Sequence, residues 1–286
     1  MQLINNITKK LGYNKIFQVR RVLMQRISSK DNEFIKHVKK LKDKKYREQS
    51  NEYVIEGIKL VEEAINENAK IKQIVICEEC TKTQEISKKL MYEIASFDCI
   101  YVTENVFNNI TEVKNPQGIL AVIERKNSEN EINYNEDIIV ALDGIQDPGN
   151  LGTILRTVDS IGLKQILVSK ETADVYNPKV VRSTMGAIFR VKVIECEDLE
   201  KTLKQIKKHK YEIVVTSLQT NESIYDIEYN KKVIVIGNEA NGVSKEIQEM
   251  ADKKVKIPML GKTESLNASV ATGIVLYEYV RQKINK

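Results

Sequence analysis

Several features of common protein classes are missing from this chain of 286 residues. No apolar run approaches the roughly 20 residues that a membrane-spanning helix needs, and the first residues lack the apolar block and small-residue cleavage site of a secretory signal. A hydrophobic content of 42% is enough for a sizeable core, and the length fits two domains of ordinary size. We therefore expect a folded cytoplasmic protein that does not associate with membranes.

Cysteine and histidine are scarce, with four and two residues respectively. Four cysteines in a chain of this length do not make a disulfide framework. Cys77 and Cys80 form a CxxC pair, which fits half a zinc site, a redox pair or two ordinary strand-end cysteines, but there is no second CxxC. Both histidines, His37 and His209, lie in lysine-rich segments, so a Ser/His/Asp or Cys/His nucleophile is not expected. We predict no metal site.

Two common nucleotide-binding motifs are also absent. The letters GKT at residues 261–263 resemble the end of a phosphate-binding P-loop, but the first glycine of that motif would fall on Lys256. No GxGxxG follows a predicted strand, so the usual dinucleotide fingerprint is missing as well. A nicotinamide-dependent enzyme is therefore not expected.

The positive charge is concentrated at one end of the chain. Residues 1–47 contain 14 lysines and arginines but only 3 acidic residues, a net charge of +11, so the rest of the chain carries −6 of the overall +5. A basic end on a mildly acidic body favours a polyanion such as nucleic acid as partner, because each neutralised phosphate releases a counterion. A solvated lysine face is the simpler alternative.

The sequence of the first half of the chain predicts an N-terminal arm followed by a small domain. Residues 1–27 contain no acid and form a predicted basic arm, and residues 32–47 show the spacing of one amphipathic basic helix. Short strands then alternate with helices up to residue 124, which predicts a compact α/β domain over residues 28–124. Residues 125–137 have no apolar period and form a predicted linker.

The second half, residues 138–286, has stronger and continuously apolar strands. Six are predicted, with the sequences IIVAL, QILVS, AIFRVKVI, EIVVTS, KVIVIG and KKVKIP, separated by helices at 151–161, 178–186, 199–209, 245–251 and 267–283. Strands that are apolar on both faces predict a mostly parallel sheet covered by helices on each side. Ligands bind at the carboxyl ends of such strands, so the loops there are the candidate sites.

Three of these loops carry polar residues suited to chemistry. The stretch ALDGIQDPGNLGTILRT ends a strand and opens a helix, with Asn150 as its expected cap and Arg156 positioned to bind a phosphate or a ribose hydroxyl. A surface salt bridge is the alternative interpretation of Arg156. The stretch VIVIGNEANGVSKEI contains Gly237, expected to let a ligand approach the backbone, Glu239 as an acceptor and Ser244 as a helix cap.

The third stretch, VKIPMLGKTESLNASVATGIVLYEYV, begins at the end of a strand and leads into a long helix. The helix is rich in small residues, which allow another backbone or helix to pack closely against it. This composition indicates a buried helix or one that forms a dimer.

Taken together, NLGTILRT, IGNEANGVS and IPMLGKTESLNASVATG resemble the three motifs of the SpoU-TrmH family of RNA 2′-O-ribose methyltransferases, in the same order. Three ordered motifs across the second domain are much more specific than any one of them. EYVIEGIKLVEEAI and NPQGILAVIE in the first domain look like the RNA substrate-binding domain of these enzymes, which is related to ribosomal proteins that bind kinked RNA.

The resemblance implies an α/β fold with a deep trefoil knot in a catalytic domain over residues 138–286, and a homodimer packed partly through the final helix. It also implies S-adenosylmethionine as cofactor. The matching positions give Arg156, Asn150, Glu239 and Asn267 as catalytic residues, and the residues around the cofactor are Gly237, Ile257, Pro258, Ser265 and Leu266.

The resemblance also suggests a role for Arg156. Family proposals make this arginine the general base, but a guanidinium is always protonated in proteins. We therefore expect Arg156 to fix the target ribose-phosphate and to stabilise developing alkoxide charge, with Asn150 orienting it or the hydroxyl. Ribosomal RNA is the expected substrate. Transfer RNA, an antibiotic-resistance methylation of ribosomal RNA, and a non-catalytic RNA-binding protein remain alternatives.

Overall fold

The computed structural model describes residues 26–81, 86–126 and 131–285. Apart from Arg26 and Ile27, the predicted basic arm lies outside these residues. The chain divides into two compact units, the first ending at Lys126 and the second beginning at Asn127. Within the described ranges, no helix has the length and apolar character that crossing a membrane requires.

The first unit is a four-stranded mixed sheet with helices. Strand β1 pairs antiparallel with β4, β4 pairs antiparallel with β2, and β2 pairs parallel with β3, so the strand order is β1-β4-β2-β3. Its elements are α1 (Glu33–Lys40), α2 (Lys44–Ser50), β1 (Glu52–Glu56), α3 (Ile58–Asn66), β2 (Ile71–Ile76), α4 (Glu78–Thr81), α5 (Lys88–Ile94), β3 (Cys99–Tyr101), α6 (Glu104–Ile110) and β4 (Ile119–Glu124).

The basic segment 32–47 forms two helices, where the sequence predicted one. Helix α1 ends at Lys40, and the side chain of Asp43 accepts a hydrogen bond from the Tyr46 N–H at 2.9 Å, which begins α2. The guanidinium of buried Arg47 donates to the carbonyls of Leu41 and Lys42, each at 2.7 Å. The break is stable because these interactions satisfy the backbone groups that a continuous helix would have paired.

The apolar side of α1 completes the core of the first unit. Ile35, Val38 and Leu41 are at most 1% exposed and pack with buried residues of β2, β4 and α6. Ile27, which the sequence assigned to the basic arm, exchanges backbone hydrogen bonds with Tyr101 and Thr103. The chain is therefore already attached to this unit at residue 27.

The second unit is a six-stranded, fully parallel sheet. Its elements are β5 (Ile138–Asp143), α7 (Pro148–Ser160), β6 (Gln165–Ser169), α8 (Pro178–Thr184), a 3₁₀ helix (Ala187–Phe189), β7 (Lys192–Cys196), α9 (Leu199–Lys207), β8 (Glu212–Thr216), β9 (Lys232–Gly237), α10 (Lys245–Met250), β10 (Lys253–Val255) and α11 (Ala268–Ile284). The predicted strand AIFRVKVI is shorter than expected, because its first residues form the 3₁₀ helix that packs on α7.

The strand order β10-β8-β9-β5-β6-β7 brings the candidate loops together. The chain runs outward from β5 to β7, crosses to β8, and then inserts β9 between β8 and β5. The loops after β5 and β9 are therefore neighbours at the carboxyl edge of the sheet. Strand β10 lies three strand positions from β5, about 14 Å at the usual strand spacing, so the loop after β10 must cross that edge to approach them.

Both faces of the parallel sheet are covered, as the continuous apolar runs predicted. On one face, Ile139, Ala141 and Val235 pack with α9 and α10. The alternate residues Val140 and Ile234 have no exposed surface either, and α7 and α11 contact the sheet through β6 and β9. This arrangement supports the loops at the carboxyl edge on a rigid base.

Candidate active site

The first loop, residues 144–147, connects β5 to helix α7. Asp147 is the N-cap of α7, and its side chain accepts a hydrogen bond from the Asn150 N–H at 2.8 Å, with Pro148 in the first turn. The expectation that Asn150 caps this helix was wrong. Asn150 lies within the first turn, where its backbone is capped by Asp147, so its side chain is available for contacts elsewhere.

Helix α7 packs very closely on α8. A Cβ on Gly152 would lie 2.4 Å from the Ser183 Cβ and 2.6 Å from the Val180 carbonyl oxygen, both too short for any side chain. Gly152 therefore permits the close approach that fixes α7 against its neighbour.

Arg156 lies on the exposed face of α7. It is six residues beyond Asn150, about 9 Å farther along the helix axis, and shares the exposed side of the helix with Thr153 and Ser160. Among the residues that the structure describes, none accepts a hydrogen bond from the Arg156 guanidinium. Nor does any described carboxylate form the surface salt bridge that was the alternative interpretation of this residue. Its donors point to solvent and are free to bind an anion.

The second loop, residues 238–244, follows β9 and turns back sharply. A Cβ on Gly237 would lie 2.1 Å from the Gly242 carbonyl carbon and from the Val243 nitrogen. The sequence suggested that Gly237 lets a ligand approach the backbone. In the structure, the group that approaches Gly237 is the protein's own backbone at Gly242 and Val243. Ser244 is the N-cap residue of α10, as expected, but its side chain makes no capping bond, and its N–H donates to the Asp143 carboxylate at 2.7 Å.

Glu239 reaches from the second loop to the first. Its carboxylate accepts from the Asn150 amide at 2.9 Å and from the backbone N–H groups of Gln146 and Asp147 at 3.3 and 3.4 Å. Burial alone would raise the pKa of Glu239, but these hydrogen bonds stabilise the charged form more strongly, so its pKa is lowered. At neutral pH the group is a carboxylate that anchors the two loops to each other.

Asn267 brings the third motif to the same point. Its amide donates to the Asn150 side-chain oxygen at 2.9 Å, while its own oxygen caps α11 by accepting from the Ser269 and Val270 N–H groups at 2.9 and 3.3 Å. Glu239, Asn150 and Asn267 therefore form one hydrogen-bonded chain, each residue from a different motif. Asn150, at 8% exposure, is its buried centre.

The third loop, residues 257–266, has a different character. No described residue exchanges a hydrogen bond with the backbone N–H or C=O groups of these ten residues. Ile257 and Leu266 are half-buried, Pro258 and Ser265 are exposed, and Leu260 is fully exposed. A loop with free backbone donors and acceptors beside apolar side chains fits a cofactor that is held by main-chain groups.

The predicted site residues thus fall into two groups. The structure brings Asn150, Glu239 and Asn267 into direct contact and places Gly237 beneath the loop that carries Glu239. Arg156 is outside this hydrogen-bonded chain. The other predicted cofactor residues, Ile257, Pro258, Ser265 and Leu266, belong to the third loop. The roles assigned to them remain predictions.

The CxxC pair lies in the first unit. Cys77 is buried at the end of β2, and its Sγ is 2.7 Å from the Sγ of Cys80 in α4 without a disulfide. Burial, with the neighbouring Cys77, raises the pKa of Cys80 to about 12. In the described ranges no three side chains of the metal-binding types are grouped so as to hold an ion.

Two residues that position the site were not identified from the sequence. Asp147 is recognisable in retrospect, because an acidic N-cap followed directly by proline is a common helix start. Asn238 binds the Gly144 carbonyl and two backbone N–H groups of its own loop. An asparagine before a turn is the only local signal for such a residue.

Two families match the chain in separate segments. Residues 137–277 match the SpoU rRNA Methylase family, and residues 32–121 match the MRM3-like substrate binding domain. Among characterised relatives, the 23S rRNA (guanosine(2553)-2′-O)-methyltransferase RlmP of Bacillus subtilis is 32% identical over 255 residues, which cover 89% of this chain and 98% of that protein.

Solved structures agree with these matches. The AdoMet-bound rRNA methyltransferase of Sinorhizobium meliloti has a TM-score of 0.80 at 30% identity, covering 91% of this chain and 98% of that one. The SpoU methyltransferase AviRb of Streptomyces viridochromogenes, in complex with AdoMet, has a TM-score of 0.78 at 25% identity, covering 88% and 98%. Since matched residues span both units and all three motif loops, this chain belongs to the SpoU rRNA methylase family.

Proposed function

We propose that this protein transfers a methyl group from S-adenosylmethionine to a ribose 2′-hydroxyl in ribosomal RNA, in the cytoplasm. The observation that carries the proposal is the hydrogen-bonded chain Glu239–Asn150–Asn267, which joins three sequence motifs at the carboxyl edge of a parallel sheet. Membership of the SpoU family and the named activity of RlmP support the same reaction.

The third loop is the part of the chain suited to hold the cofactor. The backbone groups of Ile257 and Leu266 have no partner among described residues, and Pro258 and Ser265 lie between them on the same loop. When bound, S-adenosylmethionine supplies an electrophilic methyl group on a sulfonium. Gly237 keeps the second loop close to the strand ends, and its own backbone at the carboxyl edge of the sheet is the further contact proposed for the cofactor.

Arg156 binds the RNA beside this site. Its guanidinium, which has no partner among the described residues, can donate to the phosphate and ribose oxygens of the target nucleotide and stabilise the negative charge that develops on the 2′-oxygen. Asn150 and Asn267 are held in fixed orientations, so their remaining polar capacity can orient the reacting hydroxyl. Glu239 already accepts three hydrogen bonds, which supports an anchoring role.

The first unit binds the substrate RNA. Its match to a substrate binding domain covers residues 32–121, and basic side chains are concentrated on α1 and α2. Lysines on exposed helices attract RNA by neutralising phosphates without reading the sequence. Choice of the nucleotide then requires contacts to unstacked bases or to RNA shape.

Two copies of the chain pair through the final helix. Helix α11 packs on α7 with one face, while Val270 and Tyr277, seven residues apart on the same side, are 51% and 54% exposed. A second copy would cover these two side chains. Light scattering of the purified protein tests this pairing, and a monomer at micromolar concentration contradicts it.

Mapping of 2′-O-methyl groups tests the reaction itself. Ribosomal and transfer RNA from a strain lacking the gene are incubated with the purified protein and isotopically labelled S-adenosylmethionine, and RNA fragments are analysed by mass spectrometry. We expect one labelled ribose in ribosomal RNA. Label found only in transfer RNA would show that transfer RNA, and not ribosomal RNA, is the substrate. Absence of label, together with no cofactor binding in calorimetry, would indicate a non-catalytic RNA-binding protein.

A further inference from the structure

Asn238, the first residue of the second loop, forms hydrogen bonds within the protein through both the nitrogen and the oxygen of its side-chain amide. The Nδ2 group donates to the Gly144 carbonyl at 2.7 Å, and Oδ1 accepts from the N–H groups of Ala240 and Asn241 at 2.9 and 3.1 Å. This orientation is fixed by chemistry, because a carbonyl accepts only from the amide nitrogen and an N–H donates only to the oxygen.

The backbone of Asn238 closes the turn that carries Glu239. Its N–H donates to the Gly242 carbonyl at 3.0 Å, and its own carbonyl accepts from the Gly242 N–H at 2.9 Å. Together with the two bonds to Oδ1, these contacts define the path of residues 238–242. Glu239 projects from this closed turn toward Asn150.

Gly144 is held from both sides. It has a φ of +74°, a conformation that favours glycine, and its N–H donates to the Ser169 hydroxyl at the end of β6 at 3.0 Å. The opposite group, its carbonyl, accepts from Asn238. The second loop is therefore attached to the first at two points, at Gly144 through Asn238 and at the start of α7 through Glu239.

We infer that Asn238 is a positioning residue for the methyl transfer proposed above, and the inference rests on that proposed function. The amide does not touch the reacting groups. It fixes the second loop against the first, so that Glu239 holds Asn150 and the start of α7 in register. Loss of the Asn238 donor would let the two loops shift, which lowers turnover more than it affects RNA binding by the first unit.

Asn238→Asp tests the donor with almost no change in shape. The new carboxylate can still accept from Ala240 and Asn241, but at pH 8 it has no proton to donate and opposes the Gly144 carbonyl. A protonated carboxyl can donate again. We expect kcat at pH 8 to fall about 10- to 100-fold, KM for RNA to change less than about threefold, and the ratio of variant to wild-type kcat to rise as pH is lowered toward 5.

Asn241→Asp is the matched control. It introduces the same charge three residues later in the same loop, at an exposed side chain that makes no hydrogen bond with described residues. Its kcat ratio to wild type should stay near one and change little with pH. Should Asn238→Asp not fold at pH 8, Asn238→Ser, which has no titratable group, should show lowered kcat with a ratio independent of pH.

The outcomes separate this inference from the function on which it rests. If the wild type is active, two results contradict the positioning role alone. The first is a kcat of Asn238→Asp or Asn238→Ser equal to that of the control variant. The second is a ratio of Asn238→Asp kcat to wild-type kcat that does not rise at low pH. A wild type that labels no RNA contradicts the proposed function and the inference with it. Lowered kcat that recovers on acidification only in Asn238→Asp supports both.

Discussion

The second and third loops leave the same edge of the sheet, from β9 and β10 with β8 between them, but differ in how their polar groups are satisfied. In the second loop, the side chains of Asn238 and Glu239 are hydrogen-bonded to protein groups. In the third loop, residues 257–266 have backbone groups that no described residue pairs. From this difference we propose a division of labour, in which the protein alone positions the predicted catalytic residues and the bound cofactor completes the third loop.

The largest effect is expected at Arg156, which lies on α7, outside both loops. Arg156→Ala removes donors that act on the developing charge, so kcat should fall about 10²- to 10³-fold while the affinity for S-adenosylmethionine changes less than about twofold. Single-turnover kinetics and calorimetry measure the two quantities. Lys201→Ala, which removes one positive charge from the exposed side of α9, is the control.

Equal loss of turnover and cofactor binding in Arg156→Ala would show that the arginine supports the structure of the site. In that case its exposed position on α7 would need another explanation, because no described residue depends on it for a hydrogen bond.

The free energy of unfolding of two glycine variants, one at the start of the second loop and one in the third, compares how closely the two loops are packed. A Cβ on Gly237 would meet backbone atoms at 2.1 Å, whereas a Cβ on Gly261 in the third loop would meet nothing within 4 Å. Gly237→Ala should lower the free energy of unfolding by about 2 kcal/mol or more. Gly261→Ala should cause no loss. Urea denaturation of both variants measures the difference, and similar stabilities would mean that the second loop is not closely packed.

A smaller effect is expected from Asn150, the centre of the hydrogen-bonded chain. Asn150→Ala leaves Glu239 without one donor and Asn267 without its acceptor, so the free energy of unfolding should fall by about 1–2 kcal/mol. A double-mutant cycle with Glu239→Ala should give a coupling energy of about 0.5–1.5 kcal/mol. The same cycle with Asn241→Ala should give none, and equal couplings would contradict the specific contact.

Local patterns in the sequence were sufficient for most of the second unit. Continuously apolar strands such as Ile138–Asp143 and Lys232–Gly237 predicted a parallel sheet buried on both faces, because strands covered by helices have no polar side. The first unit was less regular. Asp43 begins a new helix within the basic segment. Arg47 stabilises the break by hydrogen bonding to the Leu41 carbonyl, a contact that the spacing of apolar residues does not reveal.

The contacts that build the site could not be predicted from local patterns. Asn150 and Asn267 are 117 residues apart, and their hydrogen bond forms where α11, which follows the third loop, packs on α7. The family resemblance named both residues without showing that they touch. Gly237 illustrates the same limit, since the need for a glycine arises from the backbone of Gly242 and Val243.

Amide hydrogen exchange with and without S-adenosylmethionine tests the central division most directly. The cofactor should slow exchange in residues 257–266 at least about tenfold, because their N–H groups gain partners, while the N–H groups of Ala240, Asn241 and Gly242, already hydrogen-bonded, should change little. Protection confined to the second loop, or equal in both loops, would contradict the account.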